Sequence, residues 1–214
     1  MKPRKSAKSS RSGSSKRWLQ RQERDPFVRK AHLDGVRSRA IYKLEQLDQR
    51  DRLVKAGARV LDLGAAPGGW SQYLAGRVGS RGCVVAIDLL EMKPVDGVHF
   101  IKGDFLEPDS LAQIRQAAGE NKFDLIVSDM APNLSGIRDR DEARHEALLE
   151  AALEVSRELL VTGGGLVAKL FEGANRKAIT EMFKQEFSRV ELRKPEASRS
   201  GSREIYLVAK GYNG

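Results

Sequence analysis

The chain has 214 residues, 40% of them hydrophobic, which suits one α/β domain with extensions and a sizeable core. The first 30 residues hold eleven Lys/Arg against two Asp/Glu and so carry the whole formal net charge of +9; the remainder balances. The single cysteine, Cys83, excludes an intramolecular disulfide, and no apolar run has the length of a membrane span or the look of a signal sequence, so a cytosolic location is expected.

Residues 1–16 are Lys, Arg, Ser and Gly with almost nothing to bury, and are expected to form a disordered basic tail. Such arms commonly meet nucleic acid, a merely solubilising tail being the alternative. Trp18 to about Arg24 reads as a short helix laid on the domain, interrupted at Asp25-Pro26, with Phe27-Val28 as an apolar anchor. Ser38 is placed to cap a helix from Arg39 to about Arg50 that puts Ala40, Ile41, Leu44 and Leu47 on one face and Lys43 at the edge of that stripe. The expected organisation is a tail over 1–16 and a single domain over 17–214, made of a helical extension (17–50) and an α/β core (58–214).

The core begins with the stretch around which the chain is organised. Arg59 to Leu63 is an apolar run fit for a buried strand, Gly64 to Gly69 is a turn of small residues, and Trp70 to Leu74 resumes with helical spacing. A strand, a glycine turn and a helix open a nucleotide-type site, because Gly64, Gly68 and Gly69 let backbone approach a ligand and the helix N-terminus offers free N–H groups. The alternative is an ordinary turn with no ligand. The pattern is Gly-x-x-x-Gly-Gly, not the Gly-x-Gly-x-x-Gly of dinucleotide enzymes, so an adenosine ligand without phosphates, such as S-adenosylmethionine, fits better than a pyrophosphate.

Cys83 to Asp88 is the second strand, and Asp88, at its end and about twenty residues past the turn, has the type and spacing to accept from both ribose hydroxyls. Val98 to Ile101 is a third strand; the following Asp104 suits an adenine amino group or a turn equally well. A helix over 109–118 leads to a fourth strand, Phe123 to Asp129, with Asp129 at the active edge of a doubly wound sheet. A polar connection from Leu134 to Asp141 precedes a helix over 142–160. Gly163-Gly164-Gly165 turns the chain into a fifth strand, Leu166 to Leu170, in which Lys169 sits among apolar residues and requires a partner if buried. A helix over 175–187, a strand over 188–192, a basic loop over 193–203 and a last strand, Glu204 to Ala209, complete the chain. The expected fold is therefore α/β, Rossmann-like: a mostly parallel seven-stranded sheet with one antiparallel strand and helices on both faces.

Lys43, Asp129, Lys169 and Glu204 all stand at element ends able to converge over the sheet's active edge. Two lysines and two carboxylates there form either a structural salt-bridge cluster or a network in which one lysine, disfavoured in its charged form by the other, serves as a general base. The three histidines are scattered and there is one cysteine, so a closed metal site of the usual kind is not expected. Cys83 lies away from the active edge, which disfavours a cysteine nucleophile on a pyrimidine carbon. Asp129-Met130-Ala131-Pro132 also lacks the Pro-Pro-aromatic pattern that cradles a base amino group. Transfer to an oxygen remains.

Arg37-Ser38-Arg39-Ala40, Lys43-Leu44, Asp62 through Gln72, Asp129 through Asn133, Lys169, Arg193-Lys194-Pro195 and Ser202-Arg203-Glu204 together closely resemble the FtsJ/RrmJ family, bacterial 2′-O-ribose methyltransferases of large-subunit ribosomal RNA. The resemblance runs from about Trp18 onward and leaves out residues 1–16. It implies that Lys43, Asp129, Lys169 and Glu204 are the catalytic tetrad, with Lys169 central. It implies further that Gly68, Trp70, Asp88, Asp104 and Asp129 hold S-adenosylmethionine, and that the substrate is a uridine 2′-hydroxyl in the A-loop of 23S rRNA on the assembled large (50S) subunit. Arg37, Arg39, Arg193, Lys194 and Arg199, with the N-terminal arm, are then expected to engage phosphates. A monomer is the default, since the sequence gives no sign of a dimer seam. The same tetrad serves enzymes acting on transfer RNA or messenger caps, and a non-catalytic ribosome-assembly factor is the reading from another class; Lys169 and Gly68, whose loss would support it, are both present.

Overall fold

The computed structural model describes residues 25–133, 135–173, 175–199 and 201–214. The tail expected over 1–16 and the helix expected over 18–24 lie outside the described residues. The elements in chain order are α1 (Pro26–Leu33), α2 (Ile41–Asp51), β1 (Arg59–Leu63), α3 (Gly69–Val78), β2 (Cys83–Asp88), β3 (Val98–Lys102), α4 (Pro108–Ala117), β4 (Phe123–Ser128), α5 (Arg138–Leu159), β5 (Leu160–Phe171), α6 (Arg176–Glu186), β6 (Phe187–Arg193) and β7 (Glu204–Tyr212).

The strands form one seven-stranded sheet in the order β3-β2-β1-β4-β5-β7-β6. All neighbours from β3 to β5 pair in parallel, and β7 runs antiparallel to both β5 and β6. Strand alternation divides the core between two faces. Leu61, Leu63, Val85 and Ile87 pack with Ile114 of α4, Leu149 and Leu153 of α5 and Phe183 of α6. Val60, Val84, Val127 and Val208 pack on the opposite face with Leu44 and Leu47 of α2 and Trp70 and Leu74 of α3. Strand order reverses between β1 and β4, so the crevice at their carboxyl ends is the place where such a sheet takes a ligand.

Helix α1 differs from the expected anchor at Phe27-Val28. Asp25 is its N-cap, accepting from Phe27 N at 3.0 Å, and Pro26 occupies the first turn, where a missing N–H costs nothing. Ser38 Oγ accepts from Ala40 N at 3.2 Å, but α2 starts at Ile41, two residues later than expected. Helix α5 starts at Arg138 rather than 142. The three glycines at 163–165 lie within β5, where the β4 register shifts between Phe123 and Leu125, instead of preceding the strand. No helix among the described residues is long and apolar enough to cross a membrane.

Candidate active site

After β1 the chain turns through Gly64 (φ +71°) and Gly68 (φ +101°), both left-handed. A Cβ on Gly64 would stand 2.2 Å from Met130 Cγ, so backbone conformation and crowding both demand glycine there. Gly68 is the N-cap of α3. The turn forms one wall of a cleft completed by Ser38, Ala40, Gly69, Trp70, Asp62 and Asp129; both charged groups in that lining are acidic. Trp70 is buried, donates from Nε1 to Ala40 O at 2.8 Å and packs on Tyr206 with ring centroids 5.7 Å apart, so it fastens the N-terminal extension to the core beside the cleft. Alternation along β1 turns Asp62 toward α3, where Ser71 Oγ donates to its Oδ2 at 2.6 Å. Burial pushes the Asp62 carboxyl up to about 7, opposed by the Ser71 hydroxyl and reinforced by the charges of Asp129 and Asp88.

Asp88 and Asp104 stand farther along the same sheet edge. Asp88 accepts from Ala66 N at 2.9 Å and Leu90 N at 2.7 Å, which ties β2 to the glycine turn and leaves its carboxylate further acceptor capacity. Asp104 accepts from Leu106 N at 3.0 Å, a turn-forming bond. The exposed side chains of Leu89, Leu90 and Leu106 give this end of the edge an apolar rim.

The structure brings Lys43, Asp129, Lys169 and Glu204 together from α2, the end of β4, β5 and the start of β7. Lys169 Nζ lies 2.8 Å from Asp129 Oδ1 and donates to Asp129 O at 2.6 Å, while Glu204 Oε2 is 3.8 Å away. Lys43 Nζ lies 2.7 Å from Glu204 Oε1 and 3.8 Å from Asp129 Oδ2. Each lysine thus faces both carboxylates, and all four side chains are largely buried. Burial alone would raise the Glu204 carboxyl, but Lys43, Lys169 and a 2.9 Å bond from Ser198 Oγ outweigh it and hold Glu204 below the usual carboxylate range. A second cleft, lined by Ser38, Arg39, Ala40, Lys43, Arg199, Ser202 and Glu204, shares Ser38 and Ala40 with the first. The tetrad therefore stands between two clefts.

The five basic residues expected at phosphates are mostly engaged inside the protein. Arg39 is bonded to Asp25 and Ala197 O, yet its buried Nε has no partner among the described residues. Arg199 Nε lies 3.2 Å from Asp25. Arg193 makes a bidentate pair with Asp51 at 2.8 and 2.9 Å and also contacts Glu191. Lys194 donates to Ser202 O at 3.1 Å. Arg37 reaches the carbonyls of Lys93 and Pro94, and its own N–H donates to Gln72 Oε1 at 3.1 Å, so it bridges the extension to the segment after β2.

Three groups at the site escaped the sequence reading. Tyr206 OH donates to Asp129 Oδ1 at 2.6 Å; burial first, then Asp129 and Glu204, raises its phenol well above the ordinary value. Asp62 looked like one polar letter in an apolar strand. His145 is buried on α5 with Nε2 3.1 Å from Lys169 O, beyond the point where β4 stops pairing with β5, and burial lowers its imidazole. Tyr206 lies two residues after Glu204 and Asp62 two before Gly64, so same-face spacing on a strand was the available signal.

Residues 36–212 match the family described as FtsJ-like methyltransferase. The chain is 47% identical over 203 residues to the ribosomal RNA large subunit methyltransferase E of Dichelobacter nodosus, covering 94% of this chain and 97% of that one. It is 47% identical over 204 residues to the protein of the same name from Stutzerimonas stutzeri, covering 95% and 99%. A crystal structure from Plasmodium falciparum, described as a ribosomal RNA methyltransferase, is similar with a TM-score of 0.73 at 28% identity, over 83% of this chain and 99% of that one.

Proposed function

The chain belongs to the FtsJ-like methyltransferase family, and on that premise we propose that it transfers a methyl group from S-adenosylmethionine to the 2′-hydroxyl of a uridine in the A-loop of 23S rRNA, on the assembled large subunit. The observation that carries the reading is the interlocked pairing of Lys43, Asp129, Lys169 and Glu204 at the junction of two clefts. The names of the relatives support ribosomal RNA as the substrate class.

The first cleft fits the methyl donor by its chemistry. Its charged lining is Asp62 and Asp129, which suits a cationic ligand and repels a pyrophosphate. Gly64, Gly68, Gly69 and Trp70 would form the wall against it, Asp88 would take its ribose hydroxyls and Asp104 its adenine edge. When bound, S-adenosylmethionine supplies a methyl group made electrophilic by its sulfonium.

The second cleft would admit the nucleotide. Lys169 spends two of its three N–H donors on Asp129, and the third is available to the ribose oxygen. There it orients the hydroxyl and stabilises the negative charge that grows as the proton leaves toward water. Glu204, anionic at neutral pH, and Asp129 hold the two lysines in register; the four charges cancel, so the site needs no counterion. Arg39 and Arg199 line this cleft and would meet phosphates there, and Lys194, Arg193 and the N-terminal arm add to the attracting field. The working unit is a monomeric single domain over 17–214, in the cytoplasm with its ribosomal substrate.

The test is transfer of labelled methyl from S-adenosylmethionine to undermethylated large subunits, with free transfer RNA as control. Label on a uridine ribose of the large RNA is expected. Label on transfer RNA alone would discard the substrate, and binding of the methyl donor without transfer to either would discard the activity.

A further inference from the structure

A third cleft opens beside the tetrad and belongs to neither of the two already described. Its floor is Phe171 and Ile179, with the His145 ring 4.7 Å from that of Phe171, and Arg138, Arg176 and Arg203 stand around it together with Asp141, Glu142 and Glu172. It shares a wall with the second cleft: Ser202 and Glu204 line that cleft, Arg203 lines this one, and Glu172 N donates to Arg203 O at 2.8 Å to join the strand ends. Phe171 lies two residues past Lys169 on β5, about 7 Å along an extended strand. Phe171 is also the register partner of Glu204, so the cleft adjoins the strand ends that carry the tetrad.

The chemistry of the lining narrows the occupant. Phe171 is only half buried, so an aromatic surface is left at the floor of an open cleft. The side chains of Arg138, Arg176 and Arg203 are 64%, 49% and 59% exposed and pair with Glu142 or Glu172 at 2.9 to 4.0 Å. Exposed pairs of this kind contribute little, so the guanidinium groups can exchange a carboxylate for a phosphate at small cost. An aromatic floor under an arginine rim is what an unstacked nucleotide requires, the base lying on the ring and the backbone on the cations.

We infer that this cleft holds the nucleotide adjoining the methylated one, its base stacked on Phe171 and its phosphate met by Arg176 and Arg203. The inference rests on the RNA 2′-O-methyltransferase reading. It makes Phe171 and Arg176 substrate-positioning residues that act on RNA and leave the methyl donor alone.

The experiment measures kcat and KM for undermethylated large subunits, and S-adenosylmethionine affinity by calorimetry, for the wild-type chain and Phe171→Ala, Phe171→Leu, Phe171→Tyr and Arg176→Gln. Phe171→Ala and Phe171→Leu are expected to raise the subunit KM about 5- to 100-fold, the range of a lost base–aromatic stack. Phe171→Tyr is expected to stay within about threefold of wild type, because it keeps the π-face. Arg176→Gln should lower the slope of log KM against log salt by about one. Methyl-donor affinity stays unchanged throughout. Leu restoring KM as well as Tyr would make Phe171 mere packing and overturn the proposal, as would an unchanged KM in Phe171→Ala. A wild-type chain that methylates no subunit would instead overturn the parent reading, and this inference with it.

Discussion

Tyr206 OH and Lys169 Nζ converge on one oxygen, Asp129 Oδ1, at 2.6 and 2.8 Å. Lys169 and Tyr206 are register partners across β5 and β7, so the sheet itself sets both donors on the same acceptor. Tyr206→Phe removes a hydrogen bond to a charged group, worth about 1.5–3 kcal/mol. The expected result is a kcat lower by about 10- to 100-fold with the subunit KM unchanged, read in steady-state methyl transfer. Full activity would leave Asp129 positioned by the lysines alone.

Lys169→Ala is expected to abolish methyl transfer while S-adenosylmethionine still binds, as checked by calorimetry beside a transfer assay. Removing one member of a buried ion-pair network leaves Asp129 and Glu204 with Lys43 as their one shared lysine, so a loss of about 3–5 kcal/mol in stability accompanies it. Lys169→Arg keeps the charge but not the point-like ammonium, and should fold like wild type yet remain at least about 100-fold slower. Turnover in the alanine variant would sink the proposed role.

Asp62 gives a pH signature. Its carboxyl is held at about 7 by burial, against about 3.9 in an unfolded chain. Between those values the folded chain keeps a proton that the unfolded chain has released, so this group makes stability fall as pH rises from about 4 to 7. Asp62→Asn removes the loss: its melting temperature should exceed that of wild type above about pH 7 and match it near pH 4. A cationic ligand favours the ionised carboxylate, so wild-type affinity for S-adenosylmethionine should rise through pH 7 and that of the variant should not. Parallel pH profiles for the two proteins would remove Asp62 from the cleft's chemistry.

Arg37 was expected at phosphate, but its guanidinium lies on the carbonyls of Lys93 and Pro94. With Ser38 and Ala40 lining both clefts, this bridge holds the extension against the glycine turn. Arg37→Ala should weaken methyl-donor binding several-fold by a faster off-rate and leave the salt slope of RNA binding unchanged, which stopped-flow displacement and a salt series would separate. A shallower salt slope with unaltered off-rate would return Arg37 to the phosphates.

Apolar runs and glycine turns made the strands legible, because a buried parallel strand has little choice of composition. Lys43, Asp129, Lys169 and Glu204 stood out because each is a charge at the end or in the midst of an apolar element. Helix α1 was missed for a local reason: Asp25-Pro26 reads as a break, yet it is also a helix start. The internal partners of the arginines went unread for a distant one. Arg193 finds Asp51, 142 residues away, and Arg199 finds Asp25, 174 residues away, and no local pattern announces such pairs. Tyr206 looked like one more apolar letter of β7, and only its place two residues after Glu204, on the same face, pointed to the site.

The strand order carries a consequence for assembly. Strand β7 follows β6 in sequence but lies between β5 and β6, antiparallel to both. Until it threads into that gap, β6 has no sheet to join, Asp129 lacks its phenol and the two lysines lack Glu204. The β5–β7 pairs run from Phe171 with Glu204 to Gly165 with Lys210, so this closure is non-local and carries a loop-closure cost. Without the last strand the cleft beside the glycine turn keeps Asp62 and Asp129, but only three of the four charges of the network are in place and Lys43 loses its 2.7 Å partner, so docking of β7 completes the site.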